Sequence, residues 1–356
     1  MMNLTEIVKD IHSVDQQWMA KARERTSQLV MPTRALGRLH EIAERICGIQ
    51  ETLQPSINRK AVLVMAGDHG IAGEGVSAYP QEVTGAMVQT FLVGGGAINA
   101  ISRQVGADVL VVDVGTMADF DNLNMPGKGR LIVRKVARGT ASLARGPAMS
   151  RPKAEQSILI GFQEAAKLFQ DGVDIIGTGD MGIGNTTPSA AIGAVICDLD
   201  PAEMVGRGTG VDDEGLARKR DAVRRGIAVN RPKPGDGLDI LSKIGGFEIG
   251  GIAGIVLAGA FHRRPVMIDG FISTAGALIA DVLCPRVKDY LLSGHCSEEP
   301  GHRHMLNHLN LKPILDLGMR LGEGTGGALA MSIVDGALRV FREVMTFEEA
   351  GVANKE

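Results

Sequence analysis

In the segment "MRLGEGTGGALAM", residues 319–331, Glu323 stands between two glycines with aliphatic residues close on both sides. Neighbouring glycines offer no side chains to cover a carboxylate, and the segment holds no helix-capping box that would employ it. A partly dehydrated carboxylate in such a place has a raised proton affinity and serves as a base near neutral pH. A turn on the surface is the competing reading.

A second segment, "VDIIGTGDMGIGNTTPSAA" (173–191), passes from a strand through a glycine loop into a helix. Gly177 to Gly182 matches GxGxxG, which on its own suggests an NAD(P)-dependent oxidoreductase. Two features count against that. The helix is delayed, with Thr187 expected as N-cap and Pro188 at the first helical position, and Asp180 lies inside the loop, where it would repel a pyrophosphate. A monophosphate at Gly184–Thr187 fits better, since backbone N–H groups and two hydroxyls converge there at a helix N-terminus. A tight turn with a routine threonine cap also satisfies the pattern.

Other polar residues follow apolar runs. Asp68 and His69 close "AVLVMAGDHG" (61–70), and Asp269 closes "RPVMIDG" (264–270); each suits acid–base work or a hydrogen-bonded structural role. Lys219, in "GRGTGVDDEGLARKR" (206–220), either reaches an anionic ligand or faces solvent. "SGHCSEEPGHRH" (293–304) offers Ser293, Gly294 and Ser297, and Cys296, His302, His304 and His308 raise a metal question. Their spacing is not that of the usual zinc motifs, so a solvated histidine-bearing helix is the more economical reading.

The elements that must position these groups form a repeating pattern. Apolar, β-rich runs at 61–70, 108–115, 130–137, 173–177, 264–270 and 288–295 end in glycine-rich loops, and helical patterns follow, one opening at Pro80. Continuous apolar strands alternating with helices predict a three-layer α/β/α fold around a mostly parallel, Rossmann-like sheet. Ligands bind beyond the carboxyl ends of such strands, where the glycine loops fall. Residues 14–29 and 35–54 read as amphipathic helices without intervening strands, and a long helical pattern runs from Thr325 to about Phe347. The expected organisation is a large α/β catalytic domain over 55–330 and a small helical domain from 1–54 together with 331–356. The tail "GVANKE" is expected to fray.

Composition narrows the function classes. The 356 residues are 44% hydrophobic with a net charge of −3, so there is no basic field for nucleic acid. Aromatic residues are only 3%, too few for base-stacking platforms. Glu6, Asp10 and Asp15 interrupt the first fifteen residues, unlike a secretion signal. The most apolar stretch, 247–261, is short, glycine-rich and carries Glu248, so no membrane span is expected. Four scattered cysteines without a CxxC suit free thiols in a reducing cytoplasm. The 47 glycines, roughly twice ordinary usage, cluster in the loops, as they do where backbone approaches a ligand.

Taken together, "AGDHGIAGEGVSAYPQEVT", "GGGAINAI", "TGDMGIGNTTPSAA", "GRGTGVDD", "IDGFISTAGAL" and "RLGEGTGGALAM" resemble the nicotinate-nucleotide–dimethylbenzimidazole phosphoribosyltransferases, in family order over about residues 66–331. The resemblance implies a homodimer with an α/β domain and a small helical domain. It implies transfer of the phosphoribosyl group of nicotinate mononucleotide to 5,6-dimethylbenzimidazole or a related base, with inversion at C1′ and no metal or other cofactor. Position by position, it makes Glu323 the general base; Asp180, where the family often has Glu, is expected as a second catalytic carboxylate that stabilises positive charge on the ribose if both line the cleft. It assigns Gly182, Gly184, Asn185, Thr186, Lys219 and Ser297 to the phosphoribosyl group, and Tyr79, Met87 and Leu321 to the base pocket.

Overall fold

The run Lys60–Gly67 (β1) is apolar at nearly every position, and both of its faces are covered. Ala61, Leu63 and Met65 belong to one apolar cluster, and Val62, Val64 and Ala66 to another on the opposite side of the sheet. Successive strand side chains point to opposite faces, so a strand between two helical layers needs apolar residues throughout. The structure is a computed structural model and describes residues 2–120, 130–208 and 210–353.

Around β1 lie Ala107–Gly115 (β2), Arg130–Val133 (β3), Ile175–Met181 (β4), Val266–Ile268 (β5), Leu291–His295 (β6) and Pro313–Leu315 (β7). All pair in parallel, in the order β3-β2-β1-β4-β5-β6-β7. The chain builds outward from β1 to β3, returns across β1 to β4, and then continues the other way. The carboxyl ends of β1 and β4 therefore diverge in their connections, which opens a crevice between them. Six of these strands coincide with the apolar runs in the sequence. The seventh, three half-buried residues opened by Pro313, is too short to show a pattern.

Two helices, Arg151–Gln170 and Phe247–Phe261, pack together so closely that glycines form the contact. A methyl group at Gly161 would collide with the Gly251 carbonyl, and one at Gly254 would meet the carbonyl of Ile158 and lie 2.6 Å from the Phe162 amide nitrogen. The apolar stretch with Glu248 is thus a buried core helix. No helix among the described residues is long and apolar enough to cross a membrane.

At the N-terminus, Gln16–Gln28 and Arg38–Gln50 match the expected amphipathic helices. A further short helix, Leu4–Asp10, carries an Asn3/Glu6 capping box that the sequence reading missed. These helices meet the long helix Thr325–Glu343: Arg25 Nε donates to the Phe341 carbonyl at 3.0 Å, and Leu29 forms an antiparallel bridge with Thr346. Two expected helix starts need correction. Pro80 lies in a turn and the helix begins at Val83. The helix after β4 begins at Thr186 with Asn185 as N-cap, so Thr187 and Pro188 already lie within its first turn. Of the tail expected to fray, residues 354–356 lie outside the described residues.

Glycine substitutions test the helix packing. Gly254→Ala is expected to destabilise the protein by about 1–3 kcal/mol, because backbone rather than a flexible side chain blocks the added methyl. Gly336→Ala, in the helix Thr325–Glu343 with open space around it, should instead stabilise by up to about 1 kcal/mol. Denaturant unfolding midpoints of both variants against the parent provide the measurement.

Candidate active site

β4 carries glycine at 177 and 179, and both make room for other parts of this chain. A methyl group at Gly177 would lie 2.9 Å from the Met331 methyl, and one at Gly179 would lie 2.5 Å from the carbonyl oxygen of Glu323. The GxGxxG match thus has a structural cause: the first two glycines admit protein, not a pyrophosphate. Over this bare strand run Gly322, Glu323 and Gly324, all left-handed, with φ of +87°, +64° and +92°. Glycine adopts that conformation freely, whereas a glutamate there stores about 1–3 kcal/mol of strain. Gly324 then caps the helix Thr325–Glu343.

The Glu323 side chain is only 5% exposed, which excludes the surface turn. Its Oε2 accepts a hydrogen bond from the Ile98 amide at 3.3 Å, in the first turn of the helix Ala97–Val105. Burial raises its pKa above the usual glutamate value; the Ile98 hydrogen bond opposes the rise and the Asp269 charge adds to it. Asp180, at the end of β4, is likewise buried. Its pKa is pushed up to about 8, mainly by burial and then by the charge of Asp269, while the hydrogen bond from Asn185 at 2.9 Å opposes. A proton thus resides on Asp180 at neutral pH more readily than on an ordinary carboxyl.

A cavity of about 330 Å³ opens at these carboxylates. Val76, Val83, Met87, Met181, Ile183 and Leu321 give it an apolar wall. Tyr79 and Leu321 stand at its rim, each more than half exposed. The same cavity reaches Gly182, Gly184, Asn185, Thr186 and Lys219. There Lys219 Nζ donates to Thr186 Oγ1 at 2.9 Å. Lys219 is buried, not solvent-facing, and burial lowers its pKa while Glu299 pulls the other way. Gly184, with φ +90°, turns the chain into the helix, and Thr187 Oγ1 in that first turn is buried without a hydrogen-bond partner. Helix-terminal amides, hydroxyls and one ammonium group are groups that can together receive an anion.

The cavity thus brings together ten of the eleven site residues expected from sequence. Ser297 is the exception and sits one layer back. Its hydroxyl accepts from the Glu299 amide at 3.3 Å, and Glu299 in turn accepts from the Gly208 amide at 2.7 Å. A methyl at Gly208 would come within 2.9 Å of Lys219 Nζ, so Ser297 borders the anion end through Glu299.

Other flagged residues are resolved by their partners. His69 Nε2 lies 2.7 Å from Glu248 Oε1, both fully buried; burial works against the charged imidazole, but Glu248 overrides it and the pKa rises. Asp68 Oδ2 accepts from the Met117 amide at 2.7 Å. None of Asp68, His69 and Glu248 lines the cavity. Glu248 was legible only as the lone acid in an apolar helix. His302 is buried, with Nδ1 accepting from the Ser297 amide at 2.8 Å and Nε2 2.9 Å from the Thr274 hydroxyl; burial lowers its pKa to about 3. Only part of the histidine-bearing helix Gly301–His308 is therefore solvated: His308 is exposed and lies 3.7 Å from Asp281. Among the described residues, no group of three or more His, Cys, Asp or Glu is arranged to hold a metal ion.

Known proteins share this sequence and architecture. A family model described as a phosphoribosyltransferase matches residues 11–352. The nicotinate-nucleotide–dimethylbenzimidazole phosphoribosyltransferases of Desulforudis audaxviator and Geobacter sulfurreducens are each 51% identical over 350 residues, 98% of this chain and 98% of theirs. The crystal structure of the enzyme of that name from Thermus thermophilus superposes with a TM-score of 0.89 at 46% identity, covering 96% of this chain and 100% of that one. Nothing in these relatives supports the oxidoreductase reading of Gly177–Gly182. With its glycine-floored cleft, its buried carboxylates and this full-length similarity, the chain belongs to the nicotinate-nucleotide–dimethylbenzimidazole phosphoribosyltransferase family.

Proposed function

We propose that the chain transfers the phosphoribosyl group of nicotinate mononucleotide to 5,6-dimethylbenzimidazole, giving α-ribazole 5′-phosphate and nicotinate. The observation that carries this reading is one cavity lined both by a buried carboxylate of raised proton affinity and by an anion-binding helix N-terminus with Lys219. The apolar wall between them suits a flat, methylated aromatic base.

The chemistry explains why a base is needed and an acid on the leaving side is not. Nicotinate leaves as a ring nitrogen that becomes neutral by taking the bonding electrons, so it requires no proton. The incoming benzimidazole forms its bond to C1′ and loses its ring N–H proton, which Glu323 accepts. Direct displacement from the face opposite the leaving group inverts C1′. Positive charge on the ribose ring in the transition state meets the carboxylate of Glu323, with Asp180 beside it. Phosphate held by Gly182–Thr186 and Lys219 fixes the sugar, converting remote binding energy into orientation. Ser297 supports that end through Glu299, and Tyr79, Met87 and Leu321 enclose the base.

The proposal carries with it the homodimer that the resemblance implies, a cytoplasmic setting supported by four free cysteines, and a small helical domain supported by the bridge between Leu29 and Thr346.

Incubation of the protein with nicotinate mononucleotide and dimethylbenzimidazole should yield nicotinate and α-ribazole 5′-phosphate by mass; absence of both products would overturn the reading. Glu323→Gln should keep the fold and nucleotide binding but lose turnover by about 10²–10⁴-fold. Because the active form of Glu323 is the carboxylate and its pKa is raised, kcat/KM should fall as pH drops through a value above the ordinary glutamate range. That limb should be missing from the residual activity of the glutamine variant. Lys219→Ala should raise KM for nicotinate mononucleotide by about 10–100-fold, the scale of a lost charge-assisted hydrogen bond. The same variant should barely change the reaction of the dephosphorylated nucleoside, and equal losses on both substrates would remove Lys219 from phosphate recognition.

A further inference from the structure

Asp269 stands immediately after β5, fully buried, and both of its oxygens are used on one loop. Oδ2 accepts from the Gly324 amide at 3.0 Å and Oδ1 from the Gly327 amide at 2.9 Å. Gly324 directly follows Glu323, and Gly327 lies in the first turn of the helix Thr325–Glu343. Amides at a helix N-terminus have no partner within their own helix, so this carboxylate satisfies groups that would otherwise be orphaned in the core. Its grip also ends where the backbone is least willing to stay, one residue after a left-handed glutamate. His295 of β6 flanks the carboxylate, with Nε2 3.5 Å from Oδ1. The Asp269 amide lies 3.3 Å from Thr178 Oγ1, which ties it to β4, the strand under the loop.

We propose that Asp269 is a positioning residue for phosphoribosyl transfer, which holds Glu323 in its left-handed conformation with the carboxylate facing the cleft. The inference rests on the reading of Glu323 as the base and extends it to the residue that sets the base in place. Asp269 acts through Glu323 and needs no contact with either substrate. Its charge has a second effect, since it favours the protonated forms of both Glu323 and Asp180. The other ionisable groups facing this cluster are Asp180 from β4, His295 from β6 and, beyond Asp180, Glu248 from the helix Phe247–Phe261. An amide in place of the Asp269 carboxylate keeps the shape but turns an N–H₂ group toward one of the two backbone donors.

The test is Asp269→Asn, alone and combined with Glu323→Gln. The single variant should lose at least about 10-fold in kcat with KM for nicotinate mononucleotide unchanged within about twofold. The acid limb of its kcat/KM profile should move to lower pH, a change that loosened packing elsewhere would not cause. In the Glu323→Gln background the same substitution should cost nothing further, because groups acting through one another do not add. An unshifted limb, or full additivity in the double variant, would overturn the proposal. Should the asparagine variant fail to fold, amide hydrogen exchange in the unaltered protein decides. Gly324 and Gly327 should exchange as slowly as helix-interior amides, and exchange at the rate of a free helix terminus would rule out the grip. That measurement needs no turnover, so loss of the phosphoribosyl-transfer reading would show as absent product while the exchange result still stood.

Discussion

The passage of Gly322, Glu323 and Gly324 across the side-chain-free end of β4 is the contact on which the site depends. A side chain at 179 would strike the Glu323 carbonyl, and residues less permissive than glycine at 322 and 324 would resist the left-handed turn. Together these glycines lower the loop until its glutamate lies inside the protein, between β4 and the helix Ala97–Val105. Sheet order does the rest. Because the order in which strands are added reverses between β1 and β4, the connections that follow these parallel strands diverge, and the space between is where the cavity forms.

Burying carboxylates in this way is costly unless their charge is removed or paired. The protein uses both remedies in adjacent places. Glu248 is paired with His69, whose pKa rises in response, and Asp269 is held by backbone amides. Asp180 and Glu323 have weaker support, one hydrogen bond each from Asn185 and Ile98, and their pKa values rise. The difference separates acids satisfied by fixed partners from acids whose proton affinity is raised. For the proposed reaction, an acid-rich floor suits substrates that are cationic where they react, a pyridinium and then a sugar ring in developing positive charge, and Lys219 with the helix N-terminus would face the anionic phosphate at the other end.

Much of this was legible in the sequence because it depends on local pattern. Six strands announced themselves as continuous apolar runs, since burial on both faces leaves no alternation to confuse the reading. Glu323 was conspicuous because its neighbours lack side chains. What was hidden depends on contacts far apart in the chain. β7 is too short to carry a period, and its identity as a strand comes from pairing with β6. Lys219 reads equally as an anion contact or a solvent-facing charge on a basic helix, and only the fold decides, by turning it inward onto Thr186. Thr187 and Pro188 have the residue types of a helix start, yet the tight turn at Gly184 starts the helix at Thr186, leaving Asn185 to hold Asp180. His302 reads from sequence as one histidine of a solvated helix, and its burial comes from distant partners, Thr274 and the Ser297 amide.

The GxGxxG segment shows why such motifs need their third dimension. In a dinucleotide site, glycine lets the backbone approach a pyrophosphate and lets a helix start within the motif. Here the same residue type, at the same place in a similar sheet, admits a loop of the protein itself. Gly177 receives Met331 and Gly179 receives the Glu323 backbone, and the stretch that follows, from Asp180 to Thr186, lines the cavity. In the proposed reaction this leaves the end of the segment for one phosphate and the rest of the crevice for a sugar and an aromatic ring. A dinucleotide using the first two glycines would have to displace the loop that carries Glu323, so the burial of this carboxylate and the loss of dinucleotide space have the same structural origin.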